Sequence, residues 1–157
     1  GGLLLACFFH LSAAAAPWPT KPIKIIVPFS PGSVQDALAR SFSNELGVAL
    51  GETVLVENKA GAGGTVGTGI VAKSPADGYT FVMAAASHNI NGTLFPKLSF
   101  DPQKDFTAAA YIGTSSYIMM TNSEFPAKNV AEFVAMAKAK PGQYNYASAG
   151  NGSASQT

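Results

Sequence analysis

Short apolar runs alternate with amphipathic stretches over the first half of the chain. Residues 23–29 form a near-continuous apolar run rich in β-branched side chains, which predicts a strand buried on both faces. A turn follows, and apolar side chains then recur every fourth residue. This spacing predicts a helix that begins at Asp36 and ends between Gly47 and Gly51.

The same alternation continues as far as residue 85. A second predicted strand at residues 53–57 precedes a glycine-rich turn and a small helix that ends near Lys73. Residues 79–85 predict a third, very apolar strand. The order strand, helix, strand, helix, strand predicts an α/β fold with a parallel sheet and right-handed crossovers.

The pattern is weaker in the second half of the chain. Residues 87–96 predict a loop with about one helical turn, and Asn129 with Glu132 forms a capping box that predicts the start of a helix. Further apolar segments predict strands at residues 108–112, 117–121 and 144–148. The last of these runs into a small-residue turn with no helix after it, so we expect the sequence to be a fragment.

The first sixteen residues carry no charge and end in an alanine tract, which is typical of a secretory signal peptide and its cleavage site. We therefore expect residues 1–16 to be a signal-peptide remnant and the protein to be exported to a bacterial periplasm. Cys7 is the only cysteine, and lipid anchoring there is disfavoured because apolar residues continue past it. The mature chain would then have neither a disulfide nor a thiol nucleophile.

Composition disfavours nucleic-acid and nucleotide binding. Of 157 residues, 47% are apolar and 12% are charged, as in a globular domain, and the formal net charge is +1 with no strongly basic stretch. The run Gly61, Gly63, Gly64 and Gly67 departs from a dinucleotide-binding fingerprint, because Val66 occupies the third glycine position and the run follows the second strand. Close packing at a strand–helix junction is the favoured role of these glycines.

Catalysis and metal binding are not expected either. No serine lies in a G-x-S-x-G motif, and His88, the only histidine after the signal peptide, has no evident nucleophile or orienting carboxylate. A structural or exposed role for His88 is favoured, and no cluster of histidine and cysteine suggests a metal site. We predict no catalytic residue, no metal and no cofactor. An exported hydrolase with catalytic residues outside this sequence is the alternative.

A strand, a turn of small residues and a helix start recur at four places, residues 30–36, 59–67, 86–91 and 148–155. Glycine and serine let backbone N–H groups converge, and helix N-termini add partial positive charge, so such turns can bind carboxylate or phosphate without arginine. In an open parallel sheet they gather at the carboxyl edge of the strands, where ligands bind. The residues alone support anion binding and ordinary turns equally.

Several segments, in order, resemble the Bug, or TctC-like, family of periplasmic solute receptors of tripartite tricarboxylate transporters. They include residues 22–32 (PIKIIVPFSPG), 56–64 (VENKAGAGG), 77–80 (DGYT), 94–106, 126–138 and 146–153 (YASAGNGS). The resemblance implies a type II periplasmic binding protein with two lobes that close like a Venus flytrap. The sequence would hold most of lobe 1, residues 17–118, and the start of lobe 2, residues 119–157.

The resemblance also implies a site between the lobes in which two turns grip a ligand carboxylate from both sides. The ligand-binding residues that it implies are Phe29, Ser30, Gly32, Ser33, Asp36, Ser87, His88, Asn91, Ser148, Ala149, Gly150 and Ser153. The receptor would be a monomer without enzymatic activity that binds a small organic carboxylate and delivers it to membrane permease subunits. A ligand-sensing module without a transport role is a further alternative.

Two departures from the family pattern lie at this implied site. The family usually has two or three glycines after the proline and then Thr-Asp, whereas here Ser33, Val34 and Gln35 follow Gly32. A histidine is common near the end of the second turn, where this chain has Gln156. We expect these positions to bear on which carboxylate is bound.

Overall fold

The computed structural model of the protein describes residues 17–148, 150–153 and 155. The expected signal peptide, with Cys7, lies outside these residues, as do Ala149 and Gln156. The strands are β1 Ile23–Val27, β2 Val54–Asn58 and β3 Thr80–Val82; a short 3-10 turn spans Ala62–Gly64; and the helices are α1 Val34–Leu50, α2 Thr65–Ala72, α3 Ser87–Leu94 and α4 Val130–Ala139.

The three strands form one parallel sheet in the order β2-β1-β3. Ile25 pairs with Val56 of β2 on one side and with Phe81 of β3 on the other, so β1 is the central strand. Adjacent residues of β1 face opposite sides of the sheet, and Ile25 and Ile26 are both buried. The predicted parallel α/β arrangement, with β1 buried on both faces, is therefore confirmed.

The core lies where α1 packs on the sheet. Ile25 and Val27 of β1, Ala39 of α1 and Met83 after β3 form its buried centre, with Phe29 and Phe42 among the partly buried side chains around it. Full burial of an aliphatic side chain of this size stabilises a fold by about 1.5–3 kcal/mol. Phe29, just after β1, packs against this core, and this packing holds the start of the turn that follows in place.

Helix α1 begins earlier than the sequence pattern predicts. Ser33 is its N-cap residue, and the Ser33 hydroxyl accepts a hydrogen bond from the N–H of Asp36 at 3.3 Å. Asp36 is therefore in the first turn of the helix rather than at its start. The helix ends at Leu50 and is capped by Gly51, whose φ of +72° favours glycine, while Gly47 stays inside the helix.

Helix α3 is longer than the single turn predicted at residues 87–96, since it runs for eight residues from Ser87 to Leu94. Its sequence holds several weak helix formers, which is why the pattern indicates a loop. Ser87 and Asn91 lie one helical turn apart and are both almost fully buried. Packing of this face therefore overrides the weak local preference of the segment.

The strands predicted at residues 108–112, 117–121 and 144–148 are wrong, because none of these described segments is a strand. Their apolar side chains are largely in solvent, and Tyr111, Ile118 and Met120 are exposed by 79%, 79% and 84%. A strand exists only where a neighbouring strand offers backbone partners, and an apolar pattern cannot supply that neighbour. The lobe boundary placed between residues 118 and 119 stays a prediction.

The capping box of α4 is confirmed. The Asn129 side-chain oxygen accepts from the N–H of Glu132 at 3.0 Å. The Glu132 carboxylate reaches back to the N–H of Lys128 at 2.7 Å and to the side-chain amide of Asn129 at 2.8 Å. These bonds satisfy donors at the helix start that have no partner within the helix itself.

The described residues lack two further kinds of feature, a membrane-spanning helix and a metal-binding cluster. None of the helices within residues 17–148, 150–153 and 155 combines the length and apolar character that a membrane crossing requires. The same residues contain no group of three or more histidine, cysteine, aspartate and glutamate side chains placed to hold a metal ion.

Candidate functional site

The turns that follow the three strands meet at one edge of the sheet, because the strands are parallel. Backbone hydrogen bonds continue the pairing just past the strand ends. The N–H of Lys59 donates to the carbonyl of Val27 at 2.8 Å, and the N–H of Met83 donates to the carbonyl of Ile26 at 2.9 Å. The residues after β1, β2 and β3 are thus placed side by side.

Residues 28–33, which we call the β1 turn, contain a tight reversal. The N–H of Ser33 donates to the carbonyl of Ser30 at 3.2 Å, with Pro31 and Gly32 between them. Gly32 has a φ of +81°, so the arrangement of proline followed by a positive-φ glycine is that of a type II turn. This glycine is required by backbone conformation, since no atom lies within 4 Å of a Cβ placed on it.

The Asp36 carboxylate holds the β1 turn in place. One oxygen accepts from the backbone N–H of Gly32 at 2.9 Å, and the other accepts from Arg40 Nε and from Asn58 Nδ2, both at 2.9 Å. Asn58 Nδ2 also donates to the carbonyl of Phe29 at 3.2 Å, and Arg40 Nη2 donates to Asn58 Oδ1 at 2.9 Å. Asp36 therefore joins the turn to the end of β2.

These bonds change the roles that the resemblance implies for Gly32 and Asp36. The two residues were named as ligand contacts, but in the structure they bond to each other, and Asp36 is only 5% exposed. The Gly32 N–H is committed to the Asp36 carboxylate rather than pointing at a ligand. Asp36 acts by positioning the turn, and Asn58 and Arg40 share that task.

The pKa of Asp36 lies below its ordinary value of 3.8. The hydrogen bond from the Gly32 N–H is the main cause, and the bond from Asn58 and the nearby Arg40 charge lower the pKa further, against the opposing effect of burial. Asp36 is thus ionised at neutral pH, and its negative charge is balanced by donors that belong to the protein.

The stability that Asp36 contributes should be lost in acid. Because its pKa is lower in the folded protein, the contribution is fully present above the ordinary value of 3.8 and disappears as the pH falls through the folded-state pKa. We expect the unfolding midpoint of the protein to exceed that of Asp36→Asn at about pH 6, and this difference to shrink below about pH 4. Thermal unfolding followed by circular dichroism measures both.

The pKa values of Asp77 and Asp101 are also lowered. The wild type and Asp36→Asn both contain these two residues, so their contributions to acid unfolding largely cancel when the two midpoints are compared. A difference between the midpoints that stays constant through the acid range would contradict the role given to Asp36.

Donors remain at the start of α1. Val34 and Gln35 lie in the first turn of the helix, where no preceding helix carbonyl accepts their N–H groups. The aligned peptide dipoles add a partial positive charge at this end. The exposed Ser30 lies in the β1 turn just before the helix, whereas the Ser33 hydroxyl already caps the helix. The segment that departs from the family pattern therefore carries the N–H groups that an anion can reach.

Asn91 of α3 faces the short turn at Ala62–Gly64, which we call the 62–64 turn, and Ser87 lies one helical turn before it. Asn91 Nδ2 donates to the carbonyl of Gly63 at 2.9 Å, and Asn91 is only 3% exposed. Within the described part of the chain, Asn91 Oδ1 is buried without a hydrogen-bond partner. Ser87 is only 1% exposed. These two side chains thus lie inside the packed region.

His88 lies in a different environment from its two neighbours. Its Nε2 lies 2.9 Å from the carbonyl of Pro102, which can only accept, so Nε2 carries the proton. The ring meets Phe106 edge-on at 5.0 Å between centroids and lies 6.4 Å from Phe100. These contacts agree with a structural histidine, and a ligand contact by His88 stays a prediction.

The predicted second half of the site forms a compact turn at residues 150–153. The N–H of Ser153 donates to the carbonyl of Gly150 at 3.1 Å, and the N–H of Gly150 donates to the Ser148 hydroxyl at 3.3 Å. Ser153 is 5% exposed and its hydroxyl lies 3.2 Å from that of Ser155. We call these residues the 150–153 turn.

The 62–64 turn lies between the two predicted halves of the site. On one side, a Cβ added to Gly64 would lie 3.3 Å from Phe29 Cζ at the β1 turn. On the other side, a Cβ added to Gly63 would lie 2.7 Å from the carbonyl carbon of Gly152. These glycines were expected to allow close packing, and Gly63 was not among the expected ligand-binding residues. The clustering of glycines in this segment was the sequence signal that could have placed Gly63 in the site.

Two surface depressions lie away from these turns. One, of about 320 Å³, is lined by residues of α2 and by residues 97–100, with Lys73 and Lys97 at its rim. The other, of about 400 Å³, is lined by Asn89 and by residues between 92 and 103. Neither is lined by a predicted site residue. The candidate site is therefore the set of donors converging at the sheet edge.

A parallel sheet with helix N-termini and small-residue turns at its carboxyl edge defines a class of α/β ligand-binding proteins. A family model described as "Tripartite tricarboxylate transporter family receptor" matches residues 38–157. The chain belongs to this family. Its α/β fold is that of the periplasmic binding proteins, as the resemblance implied, and family members are periplasmic solute-binding receptors.

Individual relatives agree with this assignment. The chain is 33% identical to protein BugT of Bordetella pertussis over 92% of its own length and 46% of BugT. It matches the solved structure of periplasmic binding protein BugD with a TM-score of 0.69 and 31% identity, over 87% of this chain and 46% of BugD. It matches the structure of R. palustris Rpa4515 with adipate with a TM-score of 0.71 and 31% identity, over 79% of this chain and 42% of Rpa4515. The chain thus spans somewhat less than half the length of these relatives.

Proposed function

We propose that this protein is an extracytoplasmic receptor that binds an organic carboxylate between the β1 turn and the 150–153 turn. The observation that supports this proposal best is the Asp36 network, which anchors the β1 turn to the end of β2. The N–H groups of Val34 and Gln35, at the helix start beside this network, are then positioned to donate to a ligand. Backbone donors at a helix N-terminus suit a carboxylate, because they supply hydrogen bonds and a partial positive charge together.

The chemistry of the surrounding residues supports a carboxylate held by dipoles. The one cation in the β1 network, Arg40, is already paired with Asp36 at 2.9 Å, so its charge offsets that of the protein's own carboxylate. The relative Rpa4515 was solved with adipate, a dicarboxylate. Dicarboxylates and tricarboxylates are therefore the first candidates for this receptor.

The proposal extends to the partners and location of the protein. The receptor is exported to the periplasm, acts as a monomer without catalysing a reaction, and passes its ligand to the permease subunits of a tripartite transporter. Its lobes divide near residues 118 and 119, so that the β1 turn belongs to one lobe and the 150–153 turn to the other. Membership of a family of tripartite transporter receptors is what supports these assignments.

The test is ligand binding by the complete protein, with a panel of di- and tricarboxylates and neutral amides of the same length. A carboxylate at about a hundredfold excess over its dissociation constant should stabilise the protein by about 2.7 kcal/mol, which a thermal shift detects. Titration calorimetry then gives the dissociation constant. The absence of stabilisation by every carboxylate in the panel would overturn the proposal.

A proline at position 34 tests which donors bind the ligand. Val34 is the first residue of α1, where proline is well tolerated, and Ser33 before it already has the extended conformation that a following proline requires, with φ −67° and ψ 161°. Val34→Pro thus removes one N–H while keeping the helix start. We expect it to weaken carboxylate binding by about tenfold to a hundredfold, the loss of one hydrogen bond to a charged group.

Val130→Pro is the matched control, because Val130 is the first residue of α4 and also follows an extended N-cap residue, Asn129. It should leave the dissociation constant unchanged. Equal affinities for the two proline variants would show that the start of α1 does not contact the ligand.

A further inference from the structure

We propose that Gly63 and Gly152 form a closure contact, in which the 62–64 turn and the 150–153 turn meet backbone to backbone and so fix the space left for a ligand. This inference rests on the proposed function, because it assigns to two glycines the task of setting how closely the two ligand-binding turns approach. Gly63 and Gly152 are positioning residues, since they act on the spacing of the turns rather than on the ligand.

The geometry leaves no room for a side chain at Gly63. A Cβ placed there would lie 2.7 Å from the carbonyl carbon of Gly152, 2.8 Å from its Cα and 2.8 Å from the carbonyl oxygen of Asn151. All three are backbone atoms, so no side-chain rotation relieves the overlap. Carbon atoms in contact are normally separated by about 3.5–4.0 Å, so the two turns would have to move apart by about 1 Å.

Gly152 is enclosed from the other direction by side chains. A Cβ placed on Gly152 would lie 2.6 Å from Phe95 Cε2 and 3.0 Å from Asn91 Oδ1. Asn91 also holds the carbonyl of Gly63 through its Nδ2 at 2.9 Å. One buried side chain on α3 therefore touches both sides of the contact.

Asn91 Oδ1 supplies a second, independent sign that a bound molecule belongs here. It is buried, and among the described residues it has no hydrogen-bond partner. A buried acceptor without a donor is unfavourable by about 1–3 kcal/mol. A water or a ligand group that donates to Asn91 Oδ1 would remove this cost while the two turns stay in contact.

The contact controls ligand capture through the 62–64 turn. This turn also touches Phe29 at the β1 turn, through Gly64. The spacing between the 150–153 turn and the β1 turn therefore depends on how closely Gly63 and Gly152 meet. If a side chain separates them, the carboxylate donors of the two turns no longer reach the same ligand at hydrogen-bond distance.

The experiment compares three glycine-to-alanine variants of the complete protein. Gly63, Gly152 and Gly142 all have a positive φ, at +63°, +76° and +75°, so alanine meets the same backbone preference at each. Only Gly142 has no atom within 4 Å of the added Cβ. Gly142→Ala is therefore the matched control for Gly63→Ala and Gly152→Ala.

Two measurements are made on each variant: amide hydrogen exchange without ligand, and the dissociation constant for the carboxylate that the wild type binds most tightly. We expect Gly63→Ala to speed exchange in the 150–153 turn and Gly152→Ala to speed it in the 62–64 turn. We also expect both to weaken binding by about tenfold or more, whereas Gly142→Ala changes neither.

Unchanged exchange in the opposite turn would overturn the contact, whether or not any ligand binds. Faster exchange with an unchanged dissociation constant would overturn its role in capture. If the wild type binds no carboxylate, the proposed function fails and the role in capture fails with it, while the exchange measurement still decides the contact itself.

Discussion

Replacing Asp36 with alanine is expected to weaken carboxylate binding on the order of a hundredfold and to lower the thermal unfolding midpoint. The carboxylate accepts three hydrogen bonds, from the Gly32 N–H, Arg40 and Asn58, all at 2.9 Å. Alanine leaves these three donors without their acceptor and releases the β1 turn from β2. The N–H groups at the start of α1 then lose the fixed position on which ligand binding depends.

Asp77→Ala is the control for Asp36→Ala. Asp77 also forms an ion pair, with Lys21 at 3.0 Å, but both side chains are exposed at the surface, so the pair is weak. Asp77→Ala should leave the dissociation constant unchanged and alter the unfolding midpoint little. Calorimetry and circular dichroism on the two variants measure these effects. Wild-type affinity in Asp36→Ala, or an equal loss in Asp77→Ala, would contradict the positioning role.

The three strands that the sequence predicted correctly are those that pair with one another in one sheet. β1, β2 and β3 each carry a compact apolar run, and each is followed by a turn that returns the chain to the same sheet. The apolar segments at residues 108–112 and 117–121 also predicted strands, but their side chains are exposed and no described strand pairs with them. Pattern shows that a segment can be a strand, whereas pairing decides whether it is one.

The site was predictable in its location but less so in its contacts. Small-residue turns after parallel strands indicated the carboxyl edge of the sheet, and the structure brings the 62–64 and 150–153 turns together there. The pairing of Asp36 with Gly32 was not predictable, because it depends on Asn58, which is 22 residues away, approaching from β2. Likewise, only the packing of α3 shows that Asn91 contacts Gly63.

Gly67→Ala is expected to destabilise the fold by about 2 kcal/mol or more, although alanine is the better helix former. Gly67 lies within α2, where the substitution alone should gain about 1 kcal/mol. A Cβ at this position would, however, lie 2.6 Å from the carbonyl oxygen of Lys59 and 2.9 Å from Pro28 Cα. Both are backbone atoms, so α2 must shift away from the ends of β1 and β2.

Gly69→Ala, two residues further along the same helix, should have the opposite sign. Its Cβ would lie 3.4 Å from the Ser99 hydroxyl and 3.6 Å from Phe100, which is ordinary contact distance. The helix preference of alanine is then unopposed, and we expect a change between zero and a gain of about 1 kcal/mol. Urea unfolding of both variants measures the difference. If Gly67→Ala were as stable as Gly69→Ala, the close approach of α2 to the β1 turn would be wrong. The inference that α2 supports the ligand-binding edge of the sheet would then be wrong as well.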